Sequence, residues 1–228
     1  MKAVILAGGY GKRLRPLTDQ VPKSLIDLGG RPIIEWQVAW LKGFGISSFV
    51  VLAGHLREKL IEHLEANAER LGAEFAFSEE KEPLGSGGAL KNAERLLAGE
   101  REFVAINGDV VTDIGIDRIR PGGNIASISL VPLRSPYGIV GTENGRVTKF
   151  EEKPVLKEYW INAGVYVMKS EIFKHLKPKG DMERTTFVEL AGMGLLGCEQ
   201  FPSSYWRSID SVKDIEEVSA DMRQSPIA

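Results

Sequence analysis

The sequence predicts an α/β protein with a Rossmann-like, mixed and mainly parallel sheet flanked by helices. In the first half, short apolar runs that suit buried strands alternate with stretches that carry apolar residues at helical spacing. In the second half, strand-like runs follow one another directly, and Asn144-Gly145 between two of them is a strong hairpin signal. Because alternating strands and helices build parallel sheets, we expect the parallel part first and a more antiparallel part after it.

The elements of the first half follow from composition and from start and stop signals. Pro32 can open a helix, because its fixed φ suits the first turn, and Gly43 ends that helix. A second helical pattern stops at Gly72. In order, we predict strands at residues 3–6, 48–53, 75–77 and 103–106, and helices at residues 32–43, 55–71 and 86–97.

The second half is richer in strands. Apolar runs predict strands at residues 125–133, 138–140 and 159–168, and one around Tyr205. Short helices are expected at residues 170–176 and 185–191, and a polar helix at residues 211–223 closes the chain. No linker, low-complexity segment or internal repeat is visible, so we expect residues 1–228 to form a single domain.

Composition restricts the kind of partner. Of the 228 residues, 43% are hydrophobic, and 26% are charged with a formal net charge of −2. A nucleic-acid binder normally carries a basic excess, so no nucleic-acid partner is expected. No apolar run approaches the ~18 residues of a membrane span, and no signal peptide precedes the first strand, so no membrane partner is expected either.

Cysteine and histidine usage argues against disulfides and zinc. Cys198 is the sole cysteine, and the three histidines are scattered along the chain. Neither a disulfide framework nor a zinc cluster is therefore available. This favours a reducing cytoplasm, with Cys198 buried as a small apolar residue.

The stretch from residue 7 to residue 25, AGGYGKRLRPLTDQVPKSL, is the strongest functional signal. Glycine backbones can approach a ligand closely and can adopt positive φ. The stretch combines such glycines with basic residues against a single acid, Asp19; the glycines are Gly8, Gly9 and Gly11, and the basic residues are Lys12, Arg13, Arg15 and Lys23. A flexible backbone flanked by fixed cations is suited to holding phosphates.

Two common phosphate-binding motifs do not fit this stretch. A Walker A loop needs G-x-x-x-x-G-K-[ST], but Arg13 follows Lys12, and a dinucleotide fingerprint would meet Leu14 at its third glycine. The remaining pattern, GG-x-G-x-R-L-x-PLT-x-x-x-PK-x-L, resembles the signature of the sugar nucleotidyltransferases. The alternative is an ordinary glycine turn with a solvated basic face.

The resemblance covers nearly the whole chain and implies that the two substrates bind over different halves of it. In this family the nucleotide lies over the first half, here about residues 1–110, and the sugar over the second, about residues 111–228. The substrates would be an NTP and a sugar-1-phosphate, with Mg²⁺ as cofactor; a homo-oligomer is left open. Some relatives carry a C-terminal β-helix, which this chain is too short to hold. The implied nucleotide-binding residues here are Leu6, Ala7, Gly8, Gly9, Gly11, Arg13 and Lys23.

A second chemical cluster, Asn107-Gly108-Asp109, follows a predicted strand. Ligands of open α/β sheets bind beyond the carboxyl ends of strands, so Asp109 can meet the phosphates. A carboxylate beside a triphosphate requires a cation between them, and magnesium is the usual one. By itself, Gly-Asp after a strand is also typical of a turn with a helix cap. The family resemblance makes Asp109 a metal ligand and a catalytic residue with Arg13 and Lys23, and assigns Asn107 to the sugar phosphate.

The second metal carboxylate departs from the common family pattern. Ser208 stands where most relatives have Asp, and Asp210 comes two residues later in WRSIDSVKD. This spacing resembles the W-x-x-M-D-T-x-x-D of cytidylyltransferase members, so Asp210 is assigned as the second metal ligand. The competing interpretation is that Asp210 caps the final helix, which would leave the site one carboxylate short.

Two further motifs bear on the substrates. The segment from Glu82 to Leu90, EPLGSGGAL, resembles both the P-L-G-T-A-G-A-L of guanylyltransferases and the P-L-x-T-G-G of uridylyltransferases. The resemblance implies base contacts at Gly85 and Gly88 but does not decide which base is bound. The run from Tyr137 to Pro154, with the later NAG-x-Y, resembles the family's sugar-binding motifs. It implies sugar or sugar-phosphate contacts by Gly138, Glu152, Lys153 and Asn162.

These motifs favour an NTP:sugar-1-phosphate nucleotidyltransferase, with mannose-1-phosphate guanylyltransferase as the leading specificity. Uridylyl or thymidylyl transfer to glucose-1-phosphate or an amino-sugar phosphate is the first alternative. The second is a catalytically inactive regulatory subunit that binds nucleotide sugar. A glycosyltransferase would need D-x-D, and Asp109 and Asp113 are not so spaced.

Overall fold

A computed structural model of the chain describes residues 1–224. Its helices are α1 (Leu17–Gln20), α2 (Ile33–Lys42), α3 (Arg57–Leu71), α4 (Gly85–Asn92), α5 (Thr186–Gly192) and α6 (Val212–Gln224). Its strands are β1 (Ala3–Leu6), β2 (Ser48–Ala53), β3 (Glu74–Glu79), β4 (Glu102–Asn107), β5 (Val110–Thr112), β6 (Ala126–Arg134), β7 (Ile139–Glu143), β8 (Arg146–Glu151), β9 (Val155–Lys169), β10 (Leu196–Gln200) and β11 (Trp206–Ser208).

Seven strands form the central sheet, in the order β10-β6-β9-β4-β1-β2-β3. The strands of the first half, β1 to β4, pair in parallel. Strand β9 runs antiparallel to both β4 and β6, while β10 is parallel to β6. The predicted mixed, mainly parallel sheet is therefore confirmed, as is the change of character in the second half.

Two smaller ladders lie outside the central sheet. Strands β7 and β8 form the predicted hairpin, with Asn144 in the left-handed region at φ 47°. Strands β5 and β11 pair antiparallel and join residues that are about a hundred positions apart in sequence, Ser208 opposite Val110. This second ladder matters for function, because it links the end of the chain to the residues that follow β4.

Apolar residues fill both faces of the sheet and a third cluster beside it. One face packs against α2 and α3, and the other against α4 and α5. The third cluster holds Leu14 from the glycine-rich stretch, Val111 from β5, Ile209, and Val218 and Met222 from α6. Because Leu14 and Ile209 are almost fully buried there, the residues next to them have fixed positions.

Several predicted boundaries differ from the structure for local reasons. The helix expected at residues 86–97 ends at Asn92, and a 3-10 turn at Glu94–Leu97 follows. The helix expected from residue 55 begins at Arg57, because Leu56 takes a left-handed conformation with φ 52°. Strands β5 and β10 were not predicted.

The prediction that Cys198 is buried is wrong. Its residue is exposed, because β10 is the last strand at one edge of the sheet and Cys198 lies in the middle of it. Within residues 1–224, no helix is both long enough and apolar enough to cross a membrane.

Candidate active site

A cavity of about 670 Å³ opens at the carboxyl ends of β1, β2, β3 and β4. This is the edge of a parallel sheet at which ligands of α/β proteins bind. The cavity is lined by all but one of the residues predicted for the nucleotide and the metal: Leu6, Ala7, Gly8, Gly9, Gly11, Arg13, Lys23, Gly85, Asp109 and Asp210. Asn107, predicted for the sugar phosphate, also lines it. Residues separated by as many as two hundred positions in sequence therefore share one pocket.

The glycine-rich loop after β1 is anchored at both ends. The amide of Ala7 donates to the carbonyl of Leu52 at 3.0 Å, and that of His55 donates to the carbonyl of Gly8 at 3.2 Å. Gly11 adopts a left-handed conformation with φ 58°, and the Thr18 hydroxyl donates to its carbonyl at 2.9 Å. Within residues 1–224, the amides of residues 9–11 donate no backbone hydrogen bond. They are thus available to an anion.

Lys23 lies between the two predicted metal carboxylates. Its Nζ donates to Asp109 Oδ2 at 2.7 Å and to Asp210 Oδ1 at 3.0 Å. Arg13 Nη2 also donates to Asp210 Oδ1, at 2.7 Å. The Lys23 side chain is 15% exposed, whereas that of Arg13 is 75% exposed. The two carboxylates therefore converge on one point at the inner end of the cavity, with Arg13 at its rim.

The environment of Asp210 favours its ionised form. Burial by itself would raise the pKa of Asp210, but the hydrogen bond and charge of Lys23, with the charge of Arg13, outweigh it and hold that pKa below its ordinary value. Asp210 therefore carries a negative charge at neutral pH.

The position of Asp210 depends on the β5–β11 ladder. The amide of Ile209 donates to the carbonyl of Asp109 at 2.9 Å, so the backbones that carry the two carboxylates are hydrogen-bonded to each other. Ile209 is fully buried in the third apolar cluster, which directs the next residue toward the cavity. The Ser208 hydroxyl donates to Asp210 Oδ2 at 3.1 Å.

The final helix does not use Asp210 as its cap. Asp214 Oδ2 accepts the amides of Asp210 at 3.0 Å and of Ser211 at 2.7 Å, and the amide of Asp214 donates to Ser211 Oγ at 3.2 Å. This reciprocal arrangement is a capping box made by Ser211 and Asp214. The Asp210 carboxylate instead contacts Lys23, Arg13 and Ser208.

The segment with the second set of glycines contacts both the cavity and a neighbouring loop. Gly85 lines the cavity with φ 75°. Gly88 is buried in α4, where a Cβ would come within 2.7 Å of the carbonyl oxygen of Pro178. The amides of Gly87 and Gly88 both donate to the carbonyl of Gly180, at 3.0 and 3.2 Å. Gly88 thus packs against backbone, away from the cavity wall.

Three cavity acids were not predicted as site residues: Glu80, Asp181 and Glu183. The Ser86 hydroxyl donates to Glu183 Oε2 at 2.6 Å, and Glu80 Oε2 accepts the amide of Leu84 at 2.9 Å. Glu80 directly follows β3, so its place after a parallel strand could have identified it. Asp181 and Glu183 had no comparable signal, because they reach the cavity through a loop far along the chain.

The predicted sugar-side residues fall into two groups. Asn107 lines the cavity, and Asn162 lies nearby in β9, where its Nδ2 donates to the hydroxyl of Tyr166 at 3.0 Å. Burial and the charge of Glu183 raise the pKa of Tyr166 well above its ordinary value, so its hydroxyl stays neutral. These side chains form a polar layer next to Asp109.

The second group lies on the β7–β8 hairpin and does not line the cavity. The side chains of Glu152 and Lys153 are 65% and 48% exposed. Glu152 is close to Gly138, where a Cβ would come within 3.0 Å of Glu152 Oε2. The structure therefore brings Gly138 and Glu152 together, but it does not bring them to the pocket that contains Lys23.

Residues 2–225 match the protein family described as nucleotidyl transferase. The chain is 35% identical over 225 residues to the mannose-1-phosphate guanylyltransferase catalytic subunit beta of Danio rerio. It is 34% identical over 226 residues to the mannose-1-phosphate guanyltransferase of Yarrowia lipolytica. Both matches cover 94% of this chain and 62% of the relative, so the chain spans less than two thirds of the length of these proteins.

Solved structures share the fold. HddC from Yersinia pseudotuberculosis has a TM-score of 0.74 and 23% identity, over 97% of this chain and 99% of that one. The complex of HddC with GMP-PN has a TM-score of 0.73 and 22% identity over the same shares. A putative glucose-1-phosphate thymidylyltransferase from Bacillus anthracis has a TM-score of 0.74 and 24% identity, over 98% of this chain and 95% of that one.

Proposed function

Because the chain belongs to the nucleotidyl transferase family, we propose that it transfers a nucleotidyl group from an NTP to a sugar-1-phosphate and releases pyrophosphate. The observation that carries this proposal is the convergence of Lys23, Asp109 and Asp210 beside the glycine loop. Charged groups fixed at such a point can hold two anionic substrates in line. We further propose that residues 1–228 act as a single domain, with the nucleotide over about residues 1–110 and the sugar over residues 111–228.

The reaction needs positioning more than proton transfer. The second pKa of a phosphate monoester is about 6, so a sugar-1-phosphate is mostly dianionic at neutral pH and its oxygen can attack the α-phosphorus directly. That attack breaks the bond between the α-phosphorus and the bridging oxygen, and pyrophosphate leaves with the electron pair. The main barrier is the mutual repulsion of the anions, which fixed cations lower.

Arg13 and Lys23 have different proposed roles. The amides of residues 9–11 and the exposed guanidinium of Arg13 hold the departing pyrophosphate. Lys23, deeper in the cavity, offsets charge on the α-phosphate and the incoming phosphate. For these roles Arg13 and Lys23 must exchange their carboxylate partners for phosphate oxygens. Phosphate oxygens are also negatively charged and accept hydrogen bonds in the same way.

Asp109 and Asp210 fit a magnesium ion. Both are oxygen donors, the class that Mg²⁺ prefers, and both contact the single ammonium of Lys23, so their oxygens already converge. Among residues 1–224, no group of three or more His, Cys, Asp or Glu is arranged to hold a metal. A Mg²⁺ site usually has one or two carboxylates and is completed by substrate phosphates, and Asp109 and Asp210 would be those two carboxylates. When bound, the ion would neutralise charge on the phosphates of both substrates.

The substrate assignments extend this proposal. GTP and mannose-1-phosphate are the leading pair, because the named relatives are mannose-1-phosphate guanylyltransferases; uridylyl or thymidylyl transfer is the alternative. We propose that Gly85 borders the base and that Asn107 and Asn162 serve the sugar phosphate. Gly88 packs away from the cavity wall and is therefore not proposed to touch the base. Gly138, Glu152 and Lys153 are proposed to serve the sugar phosphate from the hairpin, outside the cavity that contains Lys23. A reducing cytoplasmic location is also part of the proposal, which makes no choice between a monomer and a homo-oligomer. The inactive-subunit alternative is weakened by the contact between Asp210 and Lys23.

Pyrophosphate release in the presence of Mg²⁺ tests this function. GTP, UTP, dTTP, CTP and ATP would each be paired with the 1-phosphates of glucose, mannose and their N-acetylamino forms, and with N-acetylmuramate 1-phosphate. We expect release for one pair, its loss in Asp109→Asn, and its retention in Asp117→Asn, whose residue is exposed outside the cavity. Folded wild-type protein that releases nothing from any pair would refute the proposal.

A further inference from the structure

The turn between β2 and α3 packs directly against the glycine-rich loop, residues 8–18. A Cβ on Gly54 would come within 2.6 Å of the carbonyl oxygen of Gly8, so glycine allows this close approach. The next residue, His55, donates its amide to the same carbonyl at 3.2 Å. Leu56 then takes φ 52°, a left-handed conformation that residues other than glycine rarely adopt. Backbone strain of this kind persists only where the surrounding contacts fix the conformation, so the turn has a defined position against the loop.

The His55 side chain contacts two further points of the loop. Its Nε2 lies 2.9 Å from the carbonyl oxygen of Thr18, and because a carbonyl can only accept, Nε2 carries the proton. Its ring packs on that of Tyr10, with the ring centroids 4.9 Å apart and the planes 32° apart. Thr18 is fully buried, and its hydroxyl donates in turn to the carbonyl of Gly11 at 2.9 Å. His55 therefore contacts the loop near its beginning, in its middle and at its end.

The loop needs this support because its amides have to be in place before an anion binds. Within residues 1–224, the amides of residues 9–11 donate no backbone hydrogen bond, and glycine backbones lose the most freedom when they are ordered. A loop that is ordered for only part of the time binds its ligand more weakly by that fraction. Tyr10 lines the cavity but His55 does not, so His55 acts on a bound ligand through the loop.

We propose that His55 is a positioning residue, which keeps the glycine-rich loop in its anion-binding conformation before a substrate arrives. The inference rests on the proposed function, in which the amides of residues 9–11 hold the departing pyrophosphate. It adds a residue that lies outside both the glycine motif and the cavity wall. The alternative is that His55 only stabilises the fold, in which case its loss would lower the free energy of unfolding and leave the affinity for anions unchanged.

Three substitutions separate the contacts that His55 makes. His55→Leu removes both the ring and the N–H donor. His55→Gln keeps an N–H donor for the carbonyl of Thr18 but has no ring, whereas His55→Phe keeps a ring but has no donor. His175→Gln is the matched control, because the ring of His175 also has a polar partner, Glu189 at 2.8 Å, but lies outside the cavity and the loop.

Calorimetric binding of inorganic pyrophosphate with Mg²⁺ tests the proposal without depending on the base or on turnover. We expect His55→Leu to bind it about tenfold more weakly than wild type, the combined effect of one hydrogen bond and one aromatic contact. His55→Gln and His55→Phe should each lose about threefold, and His175→Gln should match wild type. An affinity of His55→Leu within about twofold of wild type would overturn the inference. If His55→Leu does not fold, unchanged affinity in both other variants would overturn it.

Hydrogen exchange, followed by mass spectrometry, shows whether the loss of affinity arises in the loop. The amides of Leu14 and Asp19 donate hydrogen bonds inside residues 8–20, so their exchange reports the order of this segment. In His55→Leu the segment should exchange about tenfold faster than in wild type, and saturating pyrophosphate should restore its protection. Peptides from β4 and β9 should be unaffected. Weaker binding with unchanged exchange in residues 8–20 would refute the positioning role.

Pyrophosphate release by the same proteins keeps this inference separate from the transfer reaction. Wild-type protein that binds pyrophosphate in a manner dependent on His55, but turns over no substrate pair, would support the inference and refute the transfer. Turnover by wild type, with unchanged pyrophosphate affinity in His55→Leu, would do the reverse. A folded wild-type protein that binds no pyrophosphate would overturn the inference, whatever the transfer assay shows.

Discussion

At the scale of single residues, the position of one carboxylate in the sequence decides whether the proposed metal site has two carboxylates or one. Ser208 stands where the family resemblance places the second metal ligand, and Asp210 lies two residues later. In the structure Asp210 contacts Lys23, while Ser211 and Asp214 cap the helix. The carboxylate of Asp210 is therefore available to the cavity. Ser208 could not take its place, because a serine carries no negative charge.

Asp210→Asn should lower turnover by about 10²- to 10³-fold, because it removes one of the two carboxylates proposed to hold Mg²⁺, whose charge would offset that of the phosphates. Ser208→Ala, which deletes only the hydroxyl bonded to Asp210, should stay within about tenfold of wild type. Steady-state pyrophosphate release at saturating Mg²⁺ measures both variants. If Ser208→Ala were the more damaging change, the assignment of Asp210 would be wrong.

Lys23→Ala should preserve the fold and lose about 10²- to 10³-fold in turnover. Its ammonium contacts both carboxylates, so its removal affects charge at the transfer centre without opening the apolar core. Lys59→Ala is the control, since Lys59 is exposed on α3. Turnover and thermal unfolding would be measured together; an unfolded Lys23→Ala, or one within tenfold of wild type, would contradict the role.

The residues that sequence reasoning found are those held in local motifs. Asp109 follows a strand within Asn-Gly-Asp, and Arg13 and Lys23 lie in the glycine stretch. Asp181 and Glu183 escaped prediction because their proximity to Ser86 is produced by tertiary packing between distant segments. No spacing in the sequence encodes such a contact.

At the scale of elements, helices α2 and α3 are joined by a buried acid. Glu35 of α2 is 4% exposed at its side chain, and it pairs with His63 at 2.8 Å and with Arg70 at 2.6 Å, both of α3. Burial by itself would raise the pKa of Glu35, but the bonds and charges of Arg70 and His63 outweigh it and lower that pKa. The pair of helices therefore depends on an ionised carboxylate.

Glu35→Gln should lower the free energy of unfolding at pH 7 by about 1 kcal/mol or more, the effect of weakening buried charged hydrogen bonds. Because the folded pKa is depressed, the contribution of Glu35 is present above its ordinary value of 4.5 and is lost as pH falls through the folded pKa. Urea unfolding at pH 7 and at pH 3 tests this. The difference between wild type and variant should shrink at pH 3, whereas exposed Glu62→Gln should match wild type at both.

Element boundaries were predictable where glycine or proline fixed them. Helix α2 begins directly after Pro32 and ends at Lys42, directly before Gly43, as the sequence indicated. The break after Asn92 was missed, because Ala93 is neither a glycine nor a proline and carries no sequence signal of a helix end. Its φ is −85° and its ψ is 0°, and its side chain is fully buried. Strand β5 was missed since three residues are too few to show periodicity.

At the scale of the whole molecule, alternation of strands and helices was enough to predict the sheet class. The path of the β7–β8 hairpin was not predictable, because its apolar residues are exposed: Tyr137 is 76% and Phe150 65% exposed. A strand has a strongly specified position in a fold only when one of its faces is buried, because its apolar residues must then face the core. For this reason Glu152 and Lys153 match a motif without reaching the cavity.

Thermal unfolding should show one transition if residues 1–228 form one domain. GTP with Mg²⁺ at about a hundred times its dissociation constant should raise the midpoint by about 5 to 10 °C, since binding to the folded state alone adds about 2.7 kcal/mol. Differential scanning calorimetry would detect this. Two separate transitions, with only one shifted by nucleotide, would contradict the single domain.

The β5–β11 ladder also has a consequence for the order in which the protein is made. Asp109 is translated about a hundred residues before Asp210, and the backbones that carry them join through the hydrogen bond between Ile209 and Asp109. The nascent polypeptide can build the parallel strands and the glycine loop early, yet Asp109 and Asp210 cannot meet at Lys23 until the segment after β11 leaves the ribosome. Asp109 and Asp210 therefore come together only after translation has passed residue 210.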